Sequence, residues 1–312
     1  MKMEYDHKPV LLAEVVQQLV RNTRGTFVDC TLGGAGHARA ILENIDASST
    51  LIGIDQDITA IDTAKTKLSD FSQQILFIKG NFKDLDKLLS GRVTDVDGFL
   101  FDIGVSSMQL DIAERGFSYQ QEGPLDMRMD ESQKISAYDV VNSYSAQDLH
   151  RLIRNYGEEK WAKRIADFIV AARERKTLDK TTDLVEVIKN AIPASARRTG
   201  PHPAKRTFQA LRIEVNDELK ALESALWQAF KWLKKGARIV VISYHSLEDR
   251  LVKRIFQKLA EGFVCEVGFK NCKDFQRPLV KKITRKPEIP GEDEIEANPR
   301  ARSAKLRVVE RI

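Results

Sequence analysis

The segment Phe27-Val28-Asp29-Cys30-Thr31-Leu32-Gly33-Gly34-Ala35-Gly36-His37 constrains this chain more than any other. An apolar run ends in an acid, turns through three glycines and opens a helix-like stretch from Ala38 to Ile45. A second apolar run, Leu51-Ile52-Gly53-Ile54, ends in another acid, Asp55. This order suits an open α/β sheet that holds an adenosine-containing ligand at the carboxyl ends of its first two strands. Glycine lets the backbone approach the ligand, and an acid after strand two accepts hydrogen bonds from ribose hydroxyls. A glycine turn in an α/β domain without a ligand has the same local pattern, because short glycine motifs are weak evidence alone.

Two details argue against a dinucleotide. The fingerprint G-x-G-x-x-G is readable only from Gly34 and Gly36, which puts Arg39 where the helix-packing glycine belongs. Asp29 stands just before the loop, where a carboxylate repels a pyrophosphate but suits an ammonium group. No G-x-x-x-x-G-K-[ST] loop occurs, so a P-loop nucleotide site is excluded. An adenosine with a cationic sulfonium and an amino-acid tail, S-adenosylmethionine, fits better.

The 312 residues can bury a sizeable core and are enough for two domains. The N-terminal Met1-Lys2-Met3-Glu4-Tyr5-Asp6-His7 lacks the apolar stretch of a secretory signal. Cys30, Cys265 and Cys272 are odd in number and lack metal-ligand spacing, so reduced thiols in a cytoplasmic protein and no metal are expected. The net charge of +5 is mild, but its distribution is not. Arg197, Arg198, His202, Lys205 and Arg206 cluster around two prolines, and a second basic run extends from Lys270 to Lys286, with further arginines near the end. Such patches attract phosphate backbones, although a solvated charged face explains any one run.

Apolar spacing from Val10 to Val20 predicts a helix ahead of the first strand. Strands are expected at 26–30, 51–54, 75–79 and 96–103, separated by helices near 36–45, 57–70 and 82–89. That alternation implies right-handed βαβ units and a parallel sheet. It stops after Asp102: from about 110 to 200 the pattern is helical, with helices starting at Ser145, over Glu159–Arg175 and over Thr182–Ile192. A long helix from Thr207 to Leu233, ending at Gly236, would return to the core. Strands are expected at Arg238–Ser243, Phe263–Val267 and Ala304–Val309, and Ser246-Leu247-Glu248-Asp249 resembles a capping box. Gly291 to Asn298 reads as an acidic loop.

In open α/β sheets the ligand lies outside the carboxyl ends of the strands, which puts Asp102 at the edge of the reaction centre. Its carboxylate could accept a hydrogen bond from an amine nucleophile, contact the cofactor, or simply cap the next turn. At the end of the fifth strand, Tyr244 and His245 could orient a flipped base, or form a structural pair. Glu114 to Asp130, rich in Gly, Met and Arg without periodicity, reads as a lid or a linker. Methylation at pyrimidine carbon 5 needs a cysteine nucleophile, and no cysteine is well placed for it. Transfer to an exocyclic nitrogen needs only alignment and exclusion of water.

Together these residues resemble the bacterial small-subunit rRNA methyltransferase H family, also called MraW. The resemblance rests on Leu32-Gly33-Gly34-Ala35-Gly36-His37, Asp55, Gly104-Val105-Ser106-Ser107 and Glu114-Arg115-Gly116-Phe117-Ser118. It continues through Gly123-Pro124-Leu125-Asp126-Met127-Arg128-Met129-Asp130, Tyr156-Gly157-Glu158-Glu159 and Arg206-Thr207-Phe208-Gln209-Ala210-Leu211-Arg212-Ile213. Ser246-Leu247-Glu248-Asp249-Arg250 and Asn298-Pro299-Arg300-Ala301-Arg302-Ser303 complete it. The resemblance implies S-adenosylmethionine-dependent methylation of the exocyclic N4 of a cytidine in 16S rRNA, at the decoding centre. It implies a Rossmann-like core with an inserted helical domain. The break in alternation after Asp102 and its resumption at Arg238 put a class I methyltransferase core over 1–108 and 205–312 and the insertion, for substrate or RNA recognition, over 109–204. Carried over by motif, cofactor contacts fall on Gly34, Ala35, Gly36, His37, Asp55, Phe82, Asp102 and Gln109. Asp102, Tyr244 and His245 are the catalytic candidates, and Arg197, Arg198, Lys205 and Arg206 the RNA-binding ones. After strand four, Asp102-Ile103-Gly104-Val105 replaces the Asp-Pro-Pro-Tyr pattern usual in amino methyltransferases, so either Asp102 or a residue after strand five holds the amine. The expected partner is 16S rRNA or the small ribosomal subunit, with no membrane; a homodimer is admitted. A small-molecule or protein methyltransferase and a non-catalytic RNA-binding module are the rival readings.

Overall fold

The computed structural model describes residues 9–198, 200–262 and 277–312. Helix α1 (Leu12–Leu19) turns Val15 and Leu19 into the core and precedes the first strand. Short runs of β-branched and aromatic residues then form β1 (Thr26–Asp29), β2 (Thr50–Asp55), β3 (Gln74–Lys79) and β4 (Val96–Asp102). Helices α2 (Gly36–Glu43), α3 (Ile58–Lys67) and α4 (Leu85–Leu89) separate them. Strands β1, β2 and β4 are buried along most of their length, as expected of a parallel sheet covered on both faces.

After β4 the chain turns helical. It forms α5 (Ser107–Asp111), α6 (Ala137–Ser143), α7 (Ala146–Gly157), α8 (Ala162–Arg173), α9 (Thr181–Ala191) and α10 (Lys205–Asn216). Ser145 caps α7 by accepting the Asp148 N–H, and Pro193 follows the end of α9. The helices bury Leu149, Ile153, Ile165, Ile169, Leu184 and Leu211 in a core of their own.

Helix α11 (Glu218–Trp232) leads into β5 (Leu233–Ser243), which is followed by α12 (Ser246–Glu261), β6 (Val280–Lys282), α13 (Glu292–Ala297) and β7 (Lys305–Arg311). The sheet has the order β3-β2-β1-β4-β5-β7-β6. Strands β1 to β5 are parallel, and β7 runs antiparallel to both β5 and β6. An open, mostly parallel sheet flanked by helices, whose strand order reverses between β1 and β4, is the Rossmann-like arrangement of class I methyltransferases.

By compactness the described residues up to Gly104 and from Leu219 onward form one unit, and Val105–Glu218 form a second. The boundaries differ from those read in the sequence: α10, assigned there to the core, belongs to the second unit. The single helix expected over Thr207–Leu233 is two, because Asp217 adopts a left-handed conformation (φ 49°) that stops α10. Gly236 does not end that helix; it lies inside β5, which starts at Leu233 rather than Arg238. The segment Gly291–Asn298 is not a loop, since it holds α13, and Glu294 Oε1 accepts the N–H of Leu11 at 2.8 Å. The expected strand Phe263–Val267 lies outside the described residues.

Candidate active site

The acids that end β1, β2 and β4 meet the glycine turn at one edge of the sheet, in the first unit. Gly33 (φ 47°) and Ala35 (φ 64°) are both left-handed, and the Ala35 N–H closes the turn on Leu32 O at 2.7 Å. A Cβ on Gly36 would sit 2.3 Å from Pro9 Cγ, so this position requires glycine for close packing. At Gly34 nothing would lie within 4 Å of a Cβ, which leaves open space over the turn.

Asp55 holds the turn from below. Its Oδ2 accepts the N–H of Gly33 and its Oδ1 that of Asp57, both at 2.9 Å. Burial pushes its carboxyl up to about 6 despite these bonds. Asp29 is 1% exposed. Its Oδ1 accepts the Thr31 N–H at 3.0 Å, and its Oδ2 is buried with no hydrogen-bond partner. Burial raises this carboxyl to about 6 as well, partly offset by His37.

Asp102 sits at the centre. Tyr244 Oη donates to its Oδ1 at 2.7 Å, and His37 Nδ1 lies 3.4 Å from its Oδ2. His37 Nε2 is 3.0 Å from Val10 O. A carbonyl only accepts, so Nε2 carries a proton and Nδ1 is the nitrogen left to face Asp102. The Asp102 N–H donates to Thr31 Oγ1 at 2.7 Å, and Thr31 Oγ1 lies 3.4 Å from Asp29 Oδ1. Tyr244 and His37 thus converge on the Asp102 carboxylate, while Thr31 holds its backbone N–H. Burial, followed by the Asp102 charge, lifts the Tyr244 hydroxyl well above the ordinary tyrosine range, which keeps it a donor.

His245 plays a different part from its neighbour. It is the N-cap of α12: its Nδ1 accepts the Glu248 N–H at 3.3 Å, while its Nε2 lies 3.0 Å from Glu248 Oε1. Glu248, fully buried, accepts the N–H of Tyr244 and of His245 through Oε2. The capping box therefore starts at His245 rather than Ser246, with His245 Nδ1 as its acceptor. Phe82, half-buried just after β3, packs edge-on against Phe101 with ring centroids 6.0 Å apart. Cys30 is a buried free thiol, and burial pushes its pKa well above the usual value, which removes it as a nucleophile.

The remaining sequence-predicted residues lie in the second unit. Gln109 is buried; its Oε1 accepts the Ser106 N–H in the capping box of α5. Arg197, Arg198, Lys205 and Arg206 are exposed. Two of them also serve the fold, Arg197 donating to Ile192 O at the end of α9 and Arg206 to Glu158 O at the end of α7. His202 stacks on Tyr119, with centroids 4.7 Å apart.

The segment Glu114–Asp130 is neither a lid nor a linker. Phe117, Leu125, Met127 and Met129 are core residues of the second unit. Arg115, itself buried, donates to the carbonyls of Arg128 and Met129, and Asn216 bonds Met127 O and the Met129 N–H, both at 2.8 Å. A Cβ on Gly123 would meet Ala113 O at 1.8 Å. The glycine and methionine content thus reflects tight packing. Thr31 and Glu248 are the positioning residues that sequence reasoning missed. Only the short spacing of Thr31 from Asp29 hinted at the first.

Residues 4–312 match the MraW methylase family. The chain is 50% identical to the ribosomal RNA small subunit methyltransferase H of Clostridioides difficile (strain 630), over 99% of this chain and 100% of that one. It is 48% identical to the protein of the same name from Brevibacillus brevis, over 99% of each. A glycine turn between three strand-end acids, and similarity along the full length, lead to one conclusion: the chain belongs to the MraW methylase family.

Proposed function

We propose that this protein methylates the exocyclic N4 of a cytidine in 16S rRNA at the decoding centre, using S-adenosylmethionine, in the cytoplasm. The observation that carries the reading is the Tyr244–Asp102–His37 cluster beside the open Gly33–Gly36 turn. The names of the relatives supply the rRNA.

The residues fit the cofactor by the chemistry of their donors and acceptors. The unpartnered, buried Oδ2 of Asp29 suits an ammonium group, and Asp55 retains lone pairs for ribose hydroxyls. Gly34, Ala35, Gly36 and His37 form the floor, Phe82 offers a ring face to adenine, and Gln109 is the contact carried over from the family motif. When bound, S-adenosylmethionine supplies an electrophilic methyl group on a sulfonium.

Asp102 accepts a hydrogen bond from the cytosine amine, which turns the nitrogen lone pair toward that methyl group. The amine then sheds a proton, so no strong base is required. Tyr244 donates to one oxygen of Asp102 and so fixes the carboxylate to which the amine is presented. His245 acts through Glu248 by fixing the backbone that carries Tyr244. The target base must leave its stack to reach this edge. Arg198 and Lys205, with Arg197 and Arg206, offer the phosphate-binding surface of the second unit.

The test is transfer of labelled methyl from S-adenosylmethionine to small-subunit RNA by the parent and by Asp102→Asn. A large drop in turnover with RNA and cofactor affinity retained supports the role given to Asp102. If binding and turnover fall together, or neither falls, Asp102 is a cofactor ligand or a structural residue.

A further inference from the structure

The first unit carries a small recess, about 40 Å³, where α12 meets β6 and β7. Lys253 of α12, Lys282 at the end of β6, Arg285 just beyond it and Arg307 of β7 line it, with buried Thr284 and Phe256. No acid lines it among the described residues. A second recess, lined by Lys83, Lys87 and Lys231, is different, since Asp84 and Asp86 line it too. There Lys87 pairs with Asp84 at 3.2 Å and Lys231 with Asp86 at 4.0 Å. Both recesses carry lysines, but only the first lacks acids in its described lining.

The donors of the first recess are held ready. Arg307 Nε is anchored by Asp249 Oδ1 at 2.6 Å, which leaves the Nη donors of a fixed guanidinium. Thr284 Oγ1 accepts the Val308 N–H at 2.9 Å, so its own hydroxyl hydrogen is available to donate. Lys253 and Arg285 are exposed and make no ion pair among the described residues. A tetrahedral oxyanion matches this set: one guanidinium in place, one hydroxyl, and mobile cations around it.

Strand register places the recess on the functional edge. β6 runs parallel to β5, because both are antiparallel to β7, so its carboxyl end points the same way as those of β2, β4 and β5. Arg307 pairs with Val241, which pairs with Phe101, the residue before Asp102. From β4 to β6 is three strand spacings, about 14 Å. That distance is spanned by a few nucleotides.

We infer that this recess binds a backbone phosphate of the RNA substrate, a few nucleotides from the base presented to Asp102. The inference rests on the rRNA substrate proposed above. It adds a contact in the sheet-bearing unit, separate from the arginines and lysines of the helical one.

The experiment is a salt titration of affinity for a small-subunit rRNA fragment. It compares the parent, Lys253→Ala with Arg285→Ala, and a control with Lys83→Ala and Lys87→Ala. The expected result is a log-log salt slope smaller by about one in the recess variant. RNA affinity falls about tenfold at low salt while cofactor affinity and turnover at saturating RNA are unchanged, and the control behaves as the parent. A recess variant with the parental slope and affinity overturns the inference while leaving the methyltransferase reading intact. A parent that neither binds nor methylates the fragment overturns both. Inorganic phosphate is titrated in a separate arm: if it raises the melting temperature of the parent but not of the recess variant, and the RNA slopes are equal, the recess holds free phosphate and the RNA assignment is wrong.

Discussion

The hydroxyl of Tyr244 donates to Oδ1 of Asp102 at 2.7 Å, joining the carboxyl ends of β5 and β4. Because β4 and β5 are paired in register up to Asp102 and Ile242, this bond fixes a carboxylate on a rigid frame rather than on a loop. Tyr244→Phe keeps the ring and removes the bond. Losing a hydrogen bond to a charged group is worth about 1.5–3 kcal/mol, or roughly tenfold to a hundredfold in turnover. Steady-state kinetics should show the loss in kcat, with KM for RNA and for cofactor little changed. A rise in KM alone would mean that Tyr244 binds substrate rather than positions Asp102.

Asp29 and Asp55, as the proposed cofactor acids, should make cofactor binding depend on pH. Both carboxyls are raised by burial from 3.8 to about 6. A carboxyl whose folded pKa is raised binds protons more tightly when folded, so the stability it contributes is present below pH 3.8 and is lost as pH rises toward 6. The ammonium and the ribose hydroxyls favour the ionised forms, so affinity for S-adenosylmethionine should fall as pH drops below about 6. Each linked proton contributes up to tenfold per pH unit. Calorimetry between pH 5 and pH 8 in steps of about one unit checks this, and Asp29→Asn should flatten the profile by one proton.

Asp55→Ala removes the acceptor of the Gly33 N–H together with the proposed ribose acceptor. Cofactor affinity should fall by at least the 1.5–3 kcal/mol of one charged hydrogen bond, roughly tenfold to a hundredfold. Unchanged affinity by calorimetry would take Asp55 out of the site.

Asn216 is 5% exposed and ties Met127 and Met129 to α10 through two buried bonds. Asn216→Ala leaves a buried carbonyl and a buried N–H without these partners, at about 1–3 kcal/mol each. Urea unfolding should show a loss of about 2–6 kcal/mol for the transition that includes the second unit. A midpoint equal to the parent's would show that the Leu125–Met129 segment is held by packing alone.

The first four strands are legible in the sequence because each apolar run is short and bounded by glycine or a charged residue, as Phe27-Val28-Asp29 is. The acids of the site are legible for the same reason: an acid after an apolar strand lies at the carboxyl edge. β6 is not legible, because Val280-Lys281-Lys282 has no apolar run and is a strand only through pairing with β7. The break at Asp217 hides inside a continuous helical pattern, since an acidic residue tolerates the left-handed region without a glycine to signal it. His245 as an N-cap escapes a reading based on Ser, Thr, Asp and Asn. Leu125, Met127 and Met129 alternate into a core that only tertiary contacts define, which made a packed segment look like a lid.

On the mechanism proposed for this protein, the carboxylate of Asp102 presents a cytosine amine for methylation. The most direct measurement is nucleoside analysis by mass spectrometry of 16S rRNA from cells lacking this protein, complemented with the parent or with Asp102→Asn. The expected result is loss of N4-methylation at one cytidine without the protein, its return with the parent, and little return with the variant. N4-methylation unchanged in the absence of the protein, or its loss accompanied by a methyl group missing from another atom of the base, would contradict it.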